Sequence, residues 1–379
     1  MKKLICLFLS TAILLSTNIF AYAAVNDEVA KSAEYEYEIN SNSPKWKEFI
    51  SHDEMVAACR IPDEKIKDMS TEQLVSAYLN YPLLGDMYAY NTTEMGFEAL
   101  RSQCNALDEL LSRKDAGEAI LSRYNTVRLY NSATADDASF NDFIEPGALE
   151  ILAAQPEIID NMDDNTFSEL NSAIYEKCSE KQDGVYSATK CLYFTALTET
   201  QKSLHENNSN GNSKEVLSIN PFKSISVSSG DYNWNHTVKT PKKSSVKVGV
   251  LNSGKELSSK EKTQCKNYIA SKYPGAKYIS SATKKYNCHS FAWYSQSYSN
   301  GYWMNDPSKY MSDGSYKKGG YKVGNIIYYK GVHSGVVSNV KVGYSGCYVK
   351  SKWGLYGVYN HFYNYCPYST SSLSYWTRS

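Results

Sequence analysis

The chain has 379 residues, of which 40 are basic and 40 are acidic, so its formal net charge is zero. No long apolar stretch occurs after the first twenty residues, which excludes a protein with several membrane spans. The zero net charge conceals two halves of opposite sign. Residues 24–205 contain 33 acidic against 15 basic residues, and residues 206–379 contain 7 acidic and 23 basic residues. The length and this abrupt change predict two domains.

The amino terminus has the pattern of a secretory signal peptide, residues 1–23. Two lysines precede an apolar run from Leu4 to Ile19, and a small-x-small cleavage site follows at Ala21 to Ala23. The run is too short and too interrupted to predict a membrane span, and no cysteine follows the cleavage site to carry a lipid. We therefore expect a secreted, extracellular protein that is soluble or associated with the cell wall, with no integral membrane segment after signal removal.

The amino-terminal half predicts an all-α helical bundle. An acidic lead segment, residues 24–43, precedes an acidic helical domain, residues 44–205. Ser70 and Gln73 form a capping pattern before one helix, and Thr166 and Glu169 form another. The other helical patterns cover residues 118–127 and 148–154 and a stripe spaced by three and four residues: Phe97, Leu100, Cys104, Leu107 and Leu111. Such a series of helices favours antiparallel packing.

The acidic residues of this half have two interpretations. They form a solvated face, or they favour docking of this domain onto the basic half through long-range attraction. In the second case the domain would be a pro-segment, an inhibitory cover or a folding aid. Binding of another basic partner is the remaining alternative.

The carboxyl-terminal half predicts an α+β domain. A flexible linker, residues 206–239, precedes a basic, tyrosine-rich domain, residues 240–379. A strand is predicted at 246–251, a helix from the Ser258–Glu261 capping box to Lys272, and a long loop over 300–320. Two β-branched strands follow, at 324–329 and 333–340, and a turn at 343–346 leads to a returning strand at 347–353.

Cys288 and His333 are the candidate catalytic residues. Cys288 opens an apolar, helix-compatible run that continues to Asn300-Gly301, and His333 begins a β-branched run 45 residues later. A free thiol with a pKa of about 8.5 supplies little thiolate at neutral pH, so a nucleophilic cysteine needs a helix amino terminus or a cationic imidazole beside it. His289 is adjacent in sequence and points to another face. The base must therefore be His333, from a different element.

Metal and cofactor chemistry is not indicated. Eight cysteines remain after signal removal, and none is part of a CxxC pair or of a Cys/His cluster with zinc spacing. Secretion permits disulfides, but the sequence alone does not show which cysteines would pair. We therefore predict no metal and no cofactor.

The segments around Cys288 and His333 resemble the papain-like cysteine amidases and peptidases of bacterial cell walls, the NlpC-type and CHAP-type domains. Three features carry the resemblance: Tyr286-Asn287-Cys288 at the start of a helix, the glycine-led strand at 324–329, and the run from His333 to Val337. It covers roughly residues 240–379. It implies an α+β papain-like fold with the nucleophile helix packed on an antiparallel sheet.

The resemblance also implies roles for single residues. Cys288 would be the nucleophile, His333 the base, and the backbone N–H of Cys288 part of the oxyanion hole. A third group on a later strand would orient the imidazole, with Ser351 or His361 as the candidates. The NlpC-type pattern has aspartate where this chain has Asn287 and Asn325, which weakens a specific substrate prediction.

Such domains cleave amide bonds in peptidoglycan stem peptides or at the sugar–peptide junction without a metal. We therefore expect a secreted cysteine hydrolase of cell-wall peptide or glycan-linked peptide. The candidate substrate-binding residues are Tyr286, Asn287, Trp293, Trp303 and Trp353. The aromatic residues among them could alternatively be ordinary core or surface residues. The lysine-rich composition favours wall polyanions over nucleic acid, for which no motif is visible. The alternatives are a non-catalytic wall-binding or adhesion protein on a papain-like scaffold, and a secreted protein-directed peptidase or acyltransferase.

Overall fold

The computed structural model describes residues 34–127, 129, 140–180, 231–340 and 345–379. Within these ranges the amino-terminal region is helical, and the carboxyl-terminal region is built on antiparallel strands with some helices. This confirms the two predicted structural classes. The predicted signal peptide, residues 24–33 of the lead segment and residues 206–230 of the linker lie outside the described residues. No helix in the described parts of the chain combines the length and apolar character needed to cross a bilayer.

The helices of the amino-terminal region are short. The α-helices are α1 (His52–Ala58), α2 (Asp63–Asp68), α3 (Thr71–Leu79), α4 (Thr93–Gln103), α5 (Asn105–Ser112), α6 (Ala116–Thr126), α7 (Phe140–Ala153), α8 (Pro156–Asn161) and α9 (Asp164–Glu180). Two 3₁₀ helices accompany them, Pro44–Glu48 and Leu84–Ala89.

The capping patterns fix two of these helices, with one correction. The predicted box before α3 is confirmed, because Ser70 Oγ accepts from the N–H of Gln73 and Gln73 Oε1 accepts from the N–H of Ser70. The predicted start of α9 at Thr166 is wrong. The helix begins at Asp164, and Asp163 Oδ1 accepts from the N–H of Thr166 at 2.7 Å.

The predicted single helix over residues 97–111 is also wrong. It consists of α4 and α5, which meet at Cys104, where the backbone is extended (φ −96°, ψ 95°). The apolar stripe is nevertheless buried on both helices, including Phe97, Leu100 and Leu107. Apolar residues can therefore keep a spacing of three and four residues across the junction of two helices. This periodicity alone does not reveal the junction.

The carboxyl-terminal region contains a two-stranded and a seven-stranded antiparallel sheet. The strands are β1 (Tyr232–Lys239), β2 (Ser245–Leu251), β3 (Lys277–Ser280), β4 (Tyr316–Gly319), β5 (Ile326–Tyr329), β6 (His333–Asn339), β7 (Tyr348–Lys352), β8 (Val358–Phe362) and β9 (Leu373–Arg378), with helices α10 (Ser259–Lys272) and α11 (Ser308–Ser312). The large sheet has the order β3-β8-β7-β6-β5-β9-β4. Strand β6, which His333 begins, is therefore central.

Two predictions about this region change. Strand β1 lies within the predicted linker and pairs antiparallel with β2, so the ordered domain begins before residue 240. The predicted 300–320 loop contains α11 and β4. The hairpin of β6 and β7 is confirmed by their antiparallel pairing, although residues 341–344 of its turn are outside the described ranges.

The two regions share one continuous cluster of buried apolar side chains. Hydrogen bonds cross between them, some from aromatic side chains to backbone carbonyls and others between side chains, such as those of Tyr268 and Tyr273 to Asp86. Trp46 Nε1 donates to the carbonyl of Lys272 at 2.9 Å, and Tyr356 donates its hydroxyl to the carbonyl of Gly85 at 2.6 Å. The ion pairs between described side chains lie within one region or the other. Apolar burial and hydrogen bonds made by side chains, rather than close pairing of opposite charges, therefore form this contact.

Candidate active site

Cys288 begins a short helical segment, residues 288–294, because Asn287 caps it. Asn287 Oδ1 accepts from the N–H of Ser290 at 3.1 Å, and the Asn287 carbonyl accepts from the N–H of Phe291 at 2.9 Å. The predicted helix is confirmed at its start and wrong in its length. It ends at Tyr294, since Ser295 has an extended backbone.

The Cys288 thiol is free and completely buried. It donates to the side-chain oxygen of Asn91 at 3.5 Å, across 197 residues of sequence. Burial raises the pKa of Cys288 to about 11, although hydrogen bonding by the backbone of Ser334, the Asn91 side chain and the backbone of His289 opposes this rise, as does the charge of Lys352. In this conformation the sulfur is therefore a neutral thiol with a partner from the helical region.

His333 lies one peptide away from the sulfur, but its imidazole is turned elsewhere. Consecutive side chains on a strand face opposite sides, and the next residue, Ser334, bonds Trp293 Nε1 and His289 Nδ1 from the Cys288 segment. The His333 ring instead stacks on Tyr368, with centroids 3.6 Å apart and planes 9° apart. The sequence thus places base and nucleophile on neighbouring elements but not in hydrogen-bond contact.

The His333 imidazole has no hydrogen-bond partner for either ring nitrogen within the described residues. Burial lowers its pKa well below 6.5, and His361 and His289 add to this effect. A buried polar group without a partner costs free energy, and such groups in native proteins often have a functional cause. His333 is therefore a neutral imidazole with both nitrogens available.

The two candidates for a third catalytic group bond each other. Ser351 Oγ lies 2.8 Å from His361 Nε2, and His361 Nδ1 lies 2.8 Å from the carbonyl of Phe362. Trp353 Nε1 donates to the same Ser351 oxygen at 3.0 Å. Because these bonds occupy both residues, neither of them orients His333 in this conformation.

The aromatic candidates for substrate binding are interior residues. Tyr286, Trp293, Trp303 and Trp353 are each at most 5% exposed. Trp353 packs edge-on against Tyr273 with ring centroids 5.1 Å apart. In this conformation these rings offer no accessible face to a sugar. Asn287, also fully buried, donates to the Asn91 oxygen that accepts from the thiol.

Three residues at the site are missing from the sequence prediction: Asn91, Tyr368 and Lys352. Asn91 and Tyr368 belong to segments without a motif, and only their folded positions bring them to Cys288 and His333. Tyr368 also donates its hydroxyl to the carbonyl of Ala89 at 2.8 Å. Residues 84–91, here called the 84–91 segment, therefore contact both the thiol and the ring that holds His333.

Lys352 stabilises the backbone of a loop next to the site. It is fully buried, and its Nζ donates to the backbone carbonyls of Thr283, Gly354 and Tyr356, the last two in the loop that contacts the 84–91 segment. Gly354 has a φ of +48°, and a Cβ there would lie 2.5 Å from the backbone of Ala89. The loop and the segment are thus in close backbone contact.

We expect Lys352→Met to lower the free energy of unfolding by about 3 kcal/mol, because it leaves three buried carbonyls without donors. Lys350→Met, at the neighbouring and partly exposed position of β7, is the matched control and should cost less than about 1 kcal/mol. Urea denaturation measures both values. Equal, small losses would contradict this role of Lys352.

The reactivity of Cys288 should depend steeply on pH. A pKa of about 11, against an ordinary 9.0, makes the thiolate about 100-fold scarcer at neutral pH. Because alkylation requires thiolate, its rate at Cys288 should rise about tenfold per pH unit from pH 7 to pH 10. Iodoacetamide labelling read by peptide mass measures this slope, and a plateau below pH 9 would show an activated thiol instead.

Comparison with known proteins does not assign the chain to a family. No protein-family model, curated protein or solved structure matches it. Within the described residues no group of three or more His, Cys, Asp or Glu side chains has the geometry of a metal site. The geometry at Cys288 and His333 is therefore the basis on which a function is inferred.

Proposed function

We propose that the protein is a secreted cysteine hydrolase that cleaves amide bonds of peptidoglycan or related wall peptides, and that the described conformation is its covered, inactive form. One observation carries this proposal. A buried thiol lies beside the N–H of Ser334, the residue after His333, and the His333 imidazole has no partner for either nitrogen. A thiol and an available imidazole on neighbouring elements are the components of a Cys-His nucleophile.

The covered state explains why the pair is not engaged. Asn91 accepts from the thiol, and Tyr368 is fixed between the carbonyl of Ala89 and the ring of His333. Departure of the 84–91 segment would free the thiol from Asn91 and Tyr368 from Ala89 and admit water, and the His333 ring would then have to leave Tyr368 and turn toward the sulfur. Hydration would lower the pKa of Cys288 and raise that of His333, since burial is the main cause of both shifts.

In the uncovered form the chemistry proceeds through a thioester. His333 takes the thiol proton, the sulfur attacks the carbonyl carbon, and the C–N bond breaks as the leaving nitrogen takes a proton from the imidazole. Water then attacks the thioester, releasing the acid and restoring the thiol. The papain-like arrangement and the wall-peptide substrate are parts of this proposal, supported by the resemblance around Cys288 and by the predicted signal peptide.

Digestion of purified peptidoglycan tests the function. The full-length protein, Asn91→Ala, and Asn91→Ala combined with Cys288→Ala are incubated with wall material, and released fragments are identified by mass. Removal of the whole helical region is unsuitable, because it would expose the shared core. We expect fragments from amide cleavage that are most abundant with Asn91→Ala and absent without Cys288. Fragments in all three samples, or in none, would contradict the proposal.

A further inference from the structure

The carboxamide of Asn91 lies against Cys288 as an amide substrate would. Its oxygen accepts from Cys288 Sγ at 3.5 Å and from Asn287 Nδ2 at 2.9 Å. Asn91 is 5% exposed, and its nitrogen, which corresponds to the leaving group of an amide, has no partner within the described residues. A carbonyl oxygen held by an N–H donor beside a nucleophile has the arrangement of an oxyanion hole.

Asn287 is oriented by the backbone rather than by Asn91. Its Oδ1 accepts from the N–H groups of Ser290 and Met304, both at 3.1 Å. Its Nδ2 donates one hydrogen to the carbonyl of Met304 at 2.7 Å. These three bonds fix which end of the Asn287 side-chain amide is the nitrogen. They leave one N–H of Asn287 to donate to the Asn91 oxygen beside Cys288. The donor therefore keeps its direction when Asn91 is absent.

We propose that Asn287 is a catalytic residue, the side-chain donor of the oxyanion hole, and that the Asn91 carboxamide marks where a substrate carbonyl binds. This inference rests on the proposed cysteine chemistry. As the S–C bond forms, the π pair of the carbonyl moves onto oxygen, and the free N–H of Asn287 receives that charge. As the oxyanion collapses, the bond to the leaving group breaks and the pair leaves with that group.

Two reagents separate this role from a structural one. Iodoacetamide alkylates a thiolate by displacement and forms no oxyanion, whereas p-nitrophenyl acetate acetylates it through a tetrahedral oxyanion. Both reactions use the same thiolate, so the ratio of acetylation to alkylation rates cancels changes in access and in the thiol pKa. The rates are measured at Cys288 by peptide mass in full-length protein that carries Asn91→Ala.

We expect the ratio to fall about 100-fold in Asn287→Ser and in Asn287→Asp, the loss typical of one oxyanion donor. Serine retains a cap for the helical segment, and aspartate retains both accepted N–H bonds, so a folding defect in one variant leaves the other informative. Asn300→Ser is the matched control. Asn300 has a buried side-chain amide that donates to Ser290 Oγ on the segment that Cys288 begins. The ratio of acetylation to alkylation rates should be unchanged in this variant.

An unchanged ratio in both Asn287 variants would overturn the inference, as would an equal fall in Asn300→Ser or failure of Cys288 to be acetylated with Asn91→Ala. The ester reagent does not depend on the natural substrate. A reduced ratio without digestion of peptidoglycan would thus refute the proposed substrate and support Asn287. Digestion with an unchanged ratio would refute the role of Asn287 alone.

Discussion

Replacement of Asn91 by alanine should raise the rate of Cys288 alkylation at neutral pH about 100-fold. The substitution removes the oxygen that accepts from the thiol and opens space for water at a fully buried sulfur. If hydration returns the pKa from about 11 toward 9.0, the thiolate fraction at pH 7 increases by two orders of magnitude. Competitive iodoacetamide labelling at several pH values measures both the rate and the pKa.

The matched control for this prediction is Asn80→Ala, an exposed amide of the same region that donates to the carbonyl of Tyr35. It should leave Cys288 labelling unchanged. A second variant weakens the segment without altering Asn91: Tyr356→Phe removes the hydroxyl that binds the Gly85 carbonyl. We expect an intermediate increase there. Reduced labelling in Asn91→Ala would show that Asn91 assists the thiol instead of covering it.

Loss of His333 should reduce amide hydrolysis at least about 1,000-fold when measured in the Asn91→Ala protein. Without the imidazole, nothing removes the thiol proton or protonates the leaving nitrogen, and general acid–base catalysis contributes 10²- to 10⁴-fold. The measurement is the rate of fragment release from peptidoglycan by His333→Ala. The effect should lie mainly in kcat, because His333 acts on protons and does not bind the substrate.

His236→Ala is the control for His333→Ala, since His236 is an exposed histidine of β1. It should retain full hydrolysis. Alkylation adds a second readout: because hydration accounts for the neutral-pH labelling gained through Asn91→Ala, His333→Ala should retain that labelling while it loses hydrolysis. A His333→Ala protein that still hydrolyses wall peptides would require another base, and His289, whose Nε2 has no partner in the described structure, would then be the group to test.

Local patterns predicted the elements of this protein well. The capping boxes at Ser70 and Ser258 mark the starts of α3 and α10, because the residues that make these bonds lie only three positions apart. The β-branched runs likewise located β5 and β6. The break at Cys104 escaped prediction, since apolar spacing reports which face is buried and does not report continuity of the helix.

The site was only partly predictable. Sequence order identified Cys288 and His333, but it could not show that His333 stacks on Tyr368 while Ser334 faces the Cys288 segment. Asn91 lies 197 residues before Cys288, and no local pattern links the two. Opposite net charges suggested docking of the two halves, yet the contact consists of buried apolar side chains and of hydrogen bonds made by side chains.

Cys288 should form the covalent intermediate of amide hydrolysis. The most direct measurement is intact mass after the Asn91→Ala protein is mixed with soluble wall peptides and quenched in acid within the first turnover. We expect a protein heavier by the mass of the acyl fragment, with the added mass located on Cys288 and absent from the protein that also carries Cys288→Ala. Hydrolysis that continues in that second protein, without any adduct, would show that Cys288 is not the nucleophile.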